Sequence, residues 1–216
     1  MDELLLPLFP LELVLLPEEL LPLHIFEDRY KLMIGECLEV SPTAAGKKEF
    51  GIVLAKDQQL QSVGCSASIV KITHQYDDGR MDIVTQGTRR FEVLFTNEEK
   101  AYLTGGVEFF DDDAGLDLPL EEEAHHAIEL FRDMMKRLNQ DPADVAPPYR
   151  HLSFRIAGPL PLAVEFKQEL LSSRNESDRL RAVMRAIEQL IPQLDFVQEA
   201  RSKAGGNGNM RLGGPR

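Results

Sequence analysis

The chain contains no tryptophan, and Cys37 and Cys65 are its only cysteines. Neither belongs to a C-x-x-C pair, and with so few a disulfide framework is not expected. Cys37 falls on the apolar face of a helical pattern and reads as a buried free thiol, which fits a reducing cytoplasm. No G-x-x-x-x-G-K-[ST] phosphate loop is present, and no G-x-S-x-G elbow. A long unbroken apolar run is missing too. The stretch LLLPLFPLELVLLPEELLPLHIFEDRY, from Leu4 to Tyr30, is interrupted by Pro7, Pro10, Pro17 and Pro22. A spanning helix needs about 20 apolar residues in sequence, and interior prolines remove helix hydrogen bonds. A secretory signal is not expected either, because Asp2 and Glu3 stand where a basic region belongs. What remains is a set of short extended segments, each ending at a proline.

With 216 residues, 43% hydrophobic and 28% charged, the chain has the composition of a soluble globular protein of one large or two small domains. Its net charge of -12 is unevenly placed. Residues 1–120 hold 10 Lys+Arg against 22 Asp+Glu, whereas residues 121–216 hold 14 of each. The acidic first part repels phosphate backbones and argues against general nucleic-acid binding.

The spacing predicts mostly β structure with one helix up to about Asp111. Tyr30, Met33, Ile34, Cys37 and Leu38 form one helical stripe, capped by Glu27 or Asp28. Ser41 to Glu49 reads as a polar loop. Strands are expected over Phe50–Lys56, Cys65–His74, Arg80–Gln86, Arg90–Phe95 and Tyr102–Phe110. Asp77-Asp78-Gly79 signals a hairpin turn. So many short strands with little helix between them suggest a closed or partly closed barrel.

Asp111 to Leu120 reads as an acidic, solvated linker. After it the period changes to that of helices. Ala124, Ala127, Ile128, Phe131, Met134, Met135 and Leu138 make one stripe, and Leu160–Ser172 a short helix. A long helix follows, capped by Asn175 or Ser177, and Pro192 should kink or stop it. These helices can bury their stripes against one another. The expected fold class is therefore α+β: a β-barrel over 1–115, a small helical bundle over 116–202 and a disordered, Gly-rich tail over 203–216.

Reactive constellations are scarce. His125-His126 beside Glu121–Glu123 offers only Glu122 and His126 at i, i+4, too few ligands for a structural zinc site. Asp111–Asp113 lacks the calcium-loop pattern. No metal and no cofactor is expected. His24 reads as a hydrogen-bonded histidine at a strand edge. Arg174, Arg179, Arg181 and Arg185 form the main basic concentration, read as pairing with the acidic first part. Arg89-Arg90 beside Phe91 lacks the aromatic platforms of a nucleic-acid site.

Several segments resemble a known family. LPLFPLELVLLPEELLPLHIFEDRYKLMIGECLE is similar to the opening of the Lon N-terminal domain, the substrate-binding region of ATP-dependent Lon proteases. FGIVL (Phe50 to Leu54), VGCSASI (Val63 to Ile69) and DGRMDIVTQGTRRFEV (Asp78 to Val93) resemble its following segments. The resemblance covers roughly residues 4 to 200. Glu18-Glu19 departs from it, standing where the family often has a glycine turn. The resemblance implies a PUA-like barrel and recognition of exposed apolar stretches in unfolded or damaged polypeptides. It also implies a stand-alone, non-catalytic binder, acting as an adaptor for a separate ATPase or protease, because neither of those Lon modules is seen. An RNA-binding PUA-like module is the alternative, opposed by the acidic balance. An extended peptide can add to a free sheet edge while its side chains enter apolar pockets. Leu8, Phe9, Leu23, Ile25, Phe26 and Tyr30 are the candidate peptide-binding residues, with no nucleic acid or membrane expected as a partner.

Overall fold

The structure is a computed structural model that describes residues 5–39, 49–142 and 145–206, the last ten of these by their backbone alone. Residues 41–48 of the expected loop from Ser41 to Glu49, and residues 207–216 of the expected tail over 203–216, lie outside the described residues. Six strands come first: β1 (Leu6–Leu11), β2 (Leu20–Ile25), β3 (Phe50–Lys56), β4 (Gln59–Gln75), β5 (Met81–Asn97) and β6 (Thr104–Phe110). Helix α1 (Asp28–Leu38) lies between β2 and β3. Helices α2 (Glu121–Arg137), α3 (Leu152–Ala157), α4 (Val164–Ser172) and α5 (Glu176–Gly206) follow. The class is α+β, with strands preceding a helical part.

The sheet closes on itself. Strand order is β2-β5-β4-β3-β1-β6, and β5 also pairs with β6. The ring is thus made by β1, β3, β4, β5 and β6, with β2 outside it. The two 17-residue strands reconcile these roles. The first half of β4 pairs with β3, and the second half of β5 with β6. Their other halves pair with each other beyond the ring, and there β5 takes β2 as its second neighbour. The molecule therefore has a closed ring and a three-stranded open sheet built from the same two strands.

Sequence spacing divided β5 into two strands at Gly87, yet the strand runs through. Gly87 is where β5 changes partner. Its N–H donates to the Glu19 carbonyl, and its own carbonyl accepts from the Glu18 N–H. A Cβ at this position would overlap the Leu16 carbonyl oxygen, so only glycine lets the turn before β2 lie this close. That turn is the one with the unusual Glu18-Glu19. Glu18 takes the left-handed conformation, φ 66°, that glycine adopts more readily. Side chains hold it in place. Glu19 accepts from the Leu16 N–H at 2.9 Å and pairs with Lys167 at 2.8 Å, while Glu18 faces His151 and Arg155.

Phe91 fills the ring. With Leu6, Leu8 and Val53 it forms a small buried cluster of its own. Gly51 and Gly64 sit so close to the Phe91 ring that a Cβ on either would collide with it. The larger core joins the other face of the strands to α1 and the helical part, running from Phe9 through Met33, Phe50 and Phe131 to Ile187.

Most helical stripes behave as spacing predicts. Tyr30, Met33, Ile34 and Cys37 are buried on α1. The α2 stripe from Ala124 to Met135 is likewise buried. Glu27 occupies the cap position of α1 but makes no side-chain capping bond; it receives Arg29 instead. Asn175 does cap α5, accepting from the Asp178 N–H at 3.2 Å. Two expectations change. Leu160–Ser172 divides, so that only α4 is helical there and α3 lies earlier. Pro192 lies inside α5 without ending it, and the helix continues to Gly206, into the segment read as tail. Pro192 is exposed, so the backbone acceptor that it frees can be hydrated.

Candidate functional site

The open sheet carries one row of exposed apolar side chains, and Leu94, Phe95 and Phe109 are exposed on the ring strands. Leu21 and Leu23 point their side chains inward and pack on the core. Leu20, Pro22 and His24 alternate with them and are exposed, and Phe26 follows in the same phase just before α1. Leu20 is 60% exposed and Phe26 58%. From residue 20 to 26 this row spans about 20 Å, at roughly 3.3 Å per strand residue. Val70 and Ile72 on β4 are exposed at the opposite edge of the same sheet. Ile72 stands opposite the core-facing Ile83 in register, so the outer face of this sheet is marked by Leu20 and Phe26 at the ends of β2.

Burial sorts the six candidate residues. Leu8, Phe9, Ile25 and Tyr30 are buried. Leu8 belongs to the ring cluster, and Phe9 packs its ring 4.1 Å from that of Tyr30. These four are core, and in this conformation they offer no surface to a peptide. Leu23 is half-buried, and Phe26 alone of the six is exposed. Sequence spacing missed Leu20. Its alternation with Leu21 and Leu23 was the available signal, but the run LELVLLPEELLPL hides a period of two.

The free edges of this sheet are blunted. Among the described residues β2 pairs only with β5. Pro22 has no N–H, and proline stands in edge strands where that group would face outward. On the far edge, the register of β4 shifts between Ile69 and Lys71 and again between Ile72 and His74. Proline and bulges both disfavour the addition of another strand. The expected backbone addition at the β2 edge is therefore weakened, which leaves the side chains of the outer face as the accessible surface of this sheet.

Around His24 the outer face is polar. His24 Nδ1 lies 2.5 Å from Asp82 Oδ1, and the Tyr76 hydroxyl donates to Asp82 Oδ2 at 2.8 Å. The hydrogen bond from His24 first, then that from Tyr76, holds the Asp82 carboxyl below its usual range. Acceptance by Asp82 raises the Tyr76 phenol. The turn beyond is set by Gly79 at φ 81°.

A second charged cluster is sealed. Asp112, expected in a solvated linker, has a side chain only 1% exposed and takes both Arg90 and Arg179. Arg179 also binds Glu176, whose carboxylate accepts from the Ser153 N–H at 2.7 Å and hydroxyl at 2.8 Å. Burial works against the charge on Asp112, but Arg179 and then Arg90 outweigh it and leave the carboxyl below its usual range. Burial pushes the Glu176 carboxyl up, against the pull of Arg179 and Ser153. This network ties β5, the linker and α5 together. Nothing in the local run DDDAGLDLPL distinguishes Asp112 from its neighbours.

The remaining candidates are placed as follows. Arg181 pairs with Glu123 and Asp178, and Arg174 lies over Phe110 at 4.4 Å. Arg89 lies over the Phe109 ring at 3.8 Å. Both cysteines are buried, and burial raises the Cys65 thiol far above its ordinary value. His125 and His126 are exposed on α2. Among the described residues no group of three His, Cys, Asp or Glu side chains could hold a metal ion. Nor is any helix among them long and apolar enough to cross a membrane.

Residues 5–189 match the family model of the ATP-dependent protease La (LON) substrate-binding domain. The chain belongs to this family. The crystal structure of a Lon N-terminal domain protein from Xanthomonas campestris is 28% identical, with a TM-score of 0.62 over 83% of this chain and 96% of that one. The N-terminal domain of the Mycobacterium avium complex Lon protease superposes with the same TM-score, 0.62, over 85% of this chain and 98% of that one. At 17% identity that likeness speaks for the fold alone. Lon protease 1 of Hydrogenovibrio crunogenus is 27% identical over 150 residues, 67% of this chain but 18% of its own length. The chain thus spans well under half of that relative. These matches reach the Lon substrate-binding domain and no protease or ATPase region.

Proposed function

We propose that this Lon substrate-binding domain binds unfolded or damaged polypeptides through the outer face of its open sheet, and that it does so without catalysis. One observation carries the reading: Leu20 and Phe26 stay exposed at the two ends of β2, while the rest of the apolar N-terminal segment is largely turned into the core. The row is long enough for about six residues of extended chain. An apolar side chain that leaves water there gains on the order of 25 cal/mol per Å². The match of residues 5–189 to the Lon substrate-binding domain supports binding, and the reading extends to an adaptor role beside an ATP-dependent protease.

The test is titration of a reduced, unfolded model protein into the folded domain. Micromolar dissociation constants are expected, roughly -8 kcal/mol at most. Leu20→Ser with Phe26→Ser should weaken binding about tenfold, the equivalent of some 1.4 kcal/mol. Salt should change the affinity little, because apolar contacts are not screened. Equal affinity of the double variant, with circular dichroism showing it folded, would place the binding surface elsewhere.

A further inference from the structure

Two of the five histidines of the chain flank one carboxylate on this outer face, His24 bonded to it and His74 opposite it in register. His24 on β2, Asp82 on β5 and His74 on β4 are neighbours in register. The Tyr76 ring stands edge-on to His74 at 4.3 Å and to His24 at 5.9 Å. Phe26 stacks on the His24 ring at 5.8 Å, with 20° between their planes. The exposed apolar side chain of the proposed surface is therefore seated on an ionisable ring.

The charges around this cluster are largely paired. Arg80 lies over Tyr76 at 4.8 Å and pairs with Asp78. Lys31 of α1 reaches Asp28 and the Asp78 carbonyl, and Arg29 pairs with Glu27 beside Phe26. Lys71, opposite Val84, adds a positive charge two pairs along the sheet. Asp82 is the carboxylate that faces both histidines.

We propose that this cluster makes polypeptide binding at Phe26 proton-controlled: tight while both imidazoles are neutral, weaker once both are charged. The inference rests on the reading of this face as the binding surface. Imidazole is the side chain whose charge changes near neutral pH. Asp82 stays ionised through that range, its carboxyl being held low by His24 and Tyr76. One carboxylate offsets one imidazolium. The second charge, with Lys71 nearby, leaves the face positive. An apolar segment laid on Phe26 must then strip water from a charged ring, and burying a charge is costly.

The probe is a peptide of alternating leucine and serine with blocked ends and no charge, titrated at pH about 7.5 and about 5.5. The wild-type domain should lose about tenfold in affinity on acidification, the effect of one pKa unit of difference between free and bound states. In the double variant His24→Gln with His74→Gln, the loss should shrink to less than about threefold. The same tenfold loss in the double variant, or none in the wild type, overturns this inference alone. No binding at either pH overturns the binding reading with it. A second measurement needs no peptide. The Phe26 ring resonances should shift with the same midpoint as those of His24, and a Phe26 signal unmoved by pH overturns the coupling.

Discussion

The two halves of β4 and β5 make a controlled comparison within one molecule. In the ring, both edges of each strand are paired and Phe91 fills the interior. Beyond Gly87 the same two strands form an open sheet with one covered face, one exposed face and two blunted edges. Paired edges leave the ring no free backbone for another strand, although Leu94, Phe95 and Phe109 are exposed on its outside. The open half keeps its core-facing row of Leu21, Leu23 and Ile83 and leaves the other row in water. Burial is thus divided between the two rows of side chains and the two ends of the same strands, and the proposed recognition falls to the exposed row.

The sharpest way to break the division is at the junction. Asp112→Asn leaves Arg90 and Arg179 facing each other with one carboxylate fewer. Removing one partner of a buried charge network costs about 3–5 kcal/mol, so the melting temperature should fall by roughly 10 °C in a chain of this size. Thermal unfolding followed by circular dichroism measures it, and an unchanged midpoint would show that water reaches the network. Gly87→Ala comes next. Its methyl group must displace the turn before β2, at a cost of about 3 kcal/mol. Protease cleavage near residues 16–20 should then precede global unfolding.

Acid probes the same network more gently. The carboxyl of Asp112 is held low in the folded protein, so its contribution is fully present above the usual carboxylate range and is lost as pH falls through the lowered value. Glu176 has the opposite sign. Its raised carboxyl takes up a proton more readily folded than unfolded, so acidification first removes a penalty. Stability should therefore hold as pH falls toward about 4 and decline below it. The decline should be shallower in Asp112→Asn, where the titrating group is gone. The smallest effect is expected on the open face. Phe26→Ser should change stability by less than about 0.5 kcal/mol, read from urea unfolding. A large loss would mean that Phe26 belongs to the core after all.

Much of this was legible locally. β3 lies where its apolar run placed it, the α1 and α2 stripes are buried as their spacing requires, and Gly79 makes the turn its φ allows. Periods of 2 and 3.6 are written within a few residues, and so is turn chemistry. The resemblance carried by LPLFPLELVLLPEELLPLHIF, and by the segments after it, pointed to the family that the comparisons then showed.

Tertiary structure decided the rest. Phe9 and Phe26 both follow an apolar residue in proline-broken runs, yet one is sealed against Tyr30 and Phe50 while the other stands in water on His24. Asp111 and Asp112 are identical neighbours, and only Asp112 meets two buried guanidiniums. Gly87 looked like the end of a strand and proved to be the place where one strand exchanges partners. In each case the deciding contact comes from far along the chain: from β3 and α1 for Phe9, from α5 for Asp112, from the turn at Leu16 for Gly87. Local sequence sets which backbone shape a segment prefers. Which of its faces is dry depends on what the folded chain brings against it.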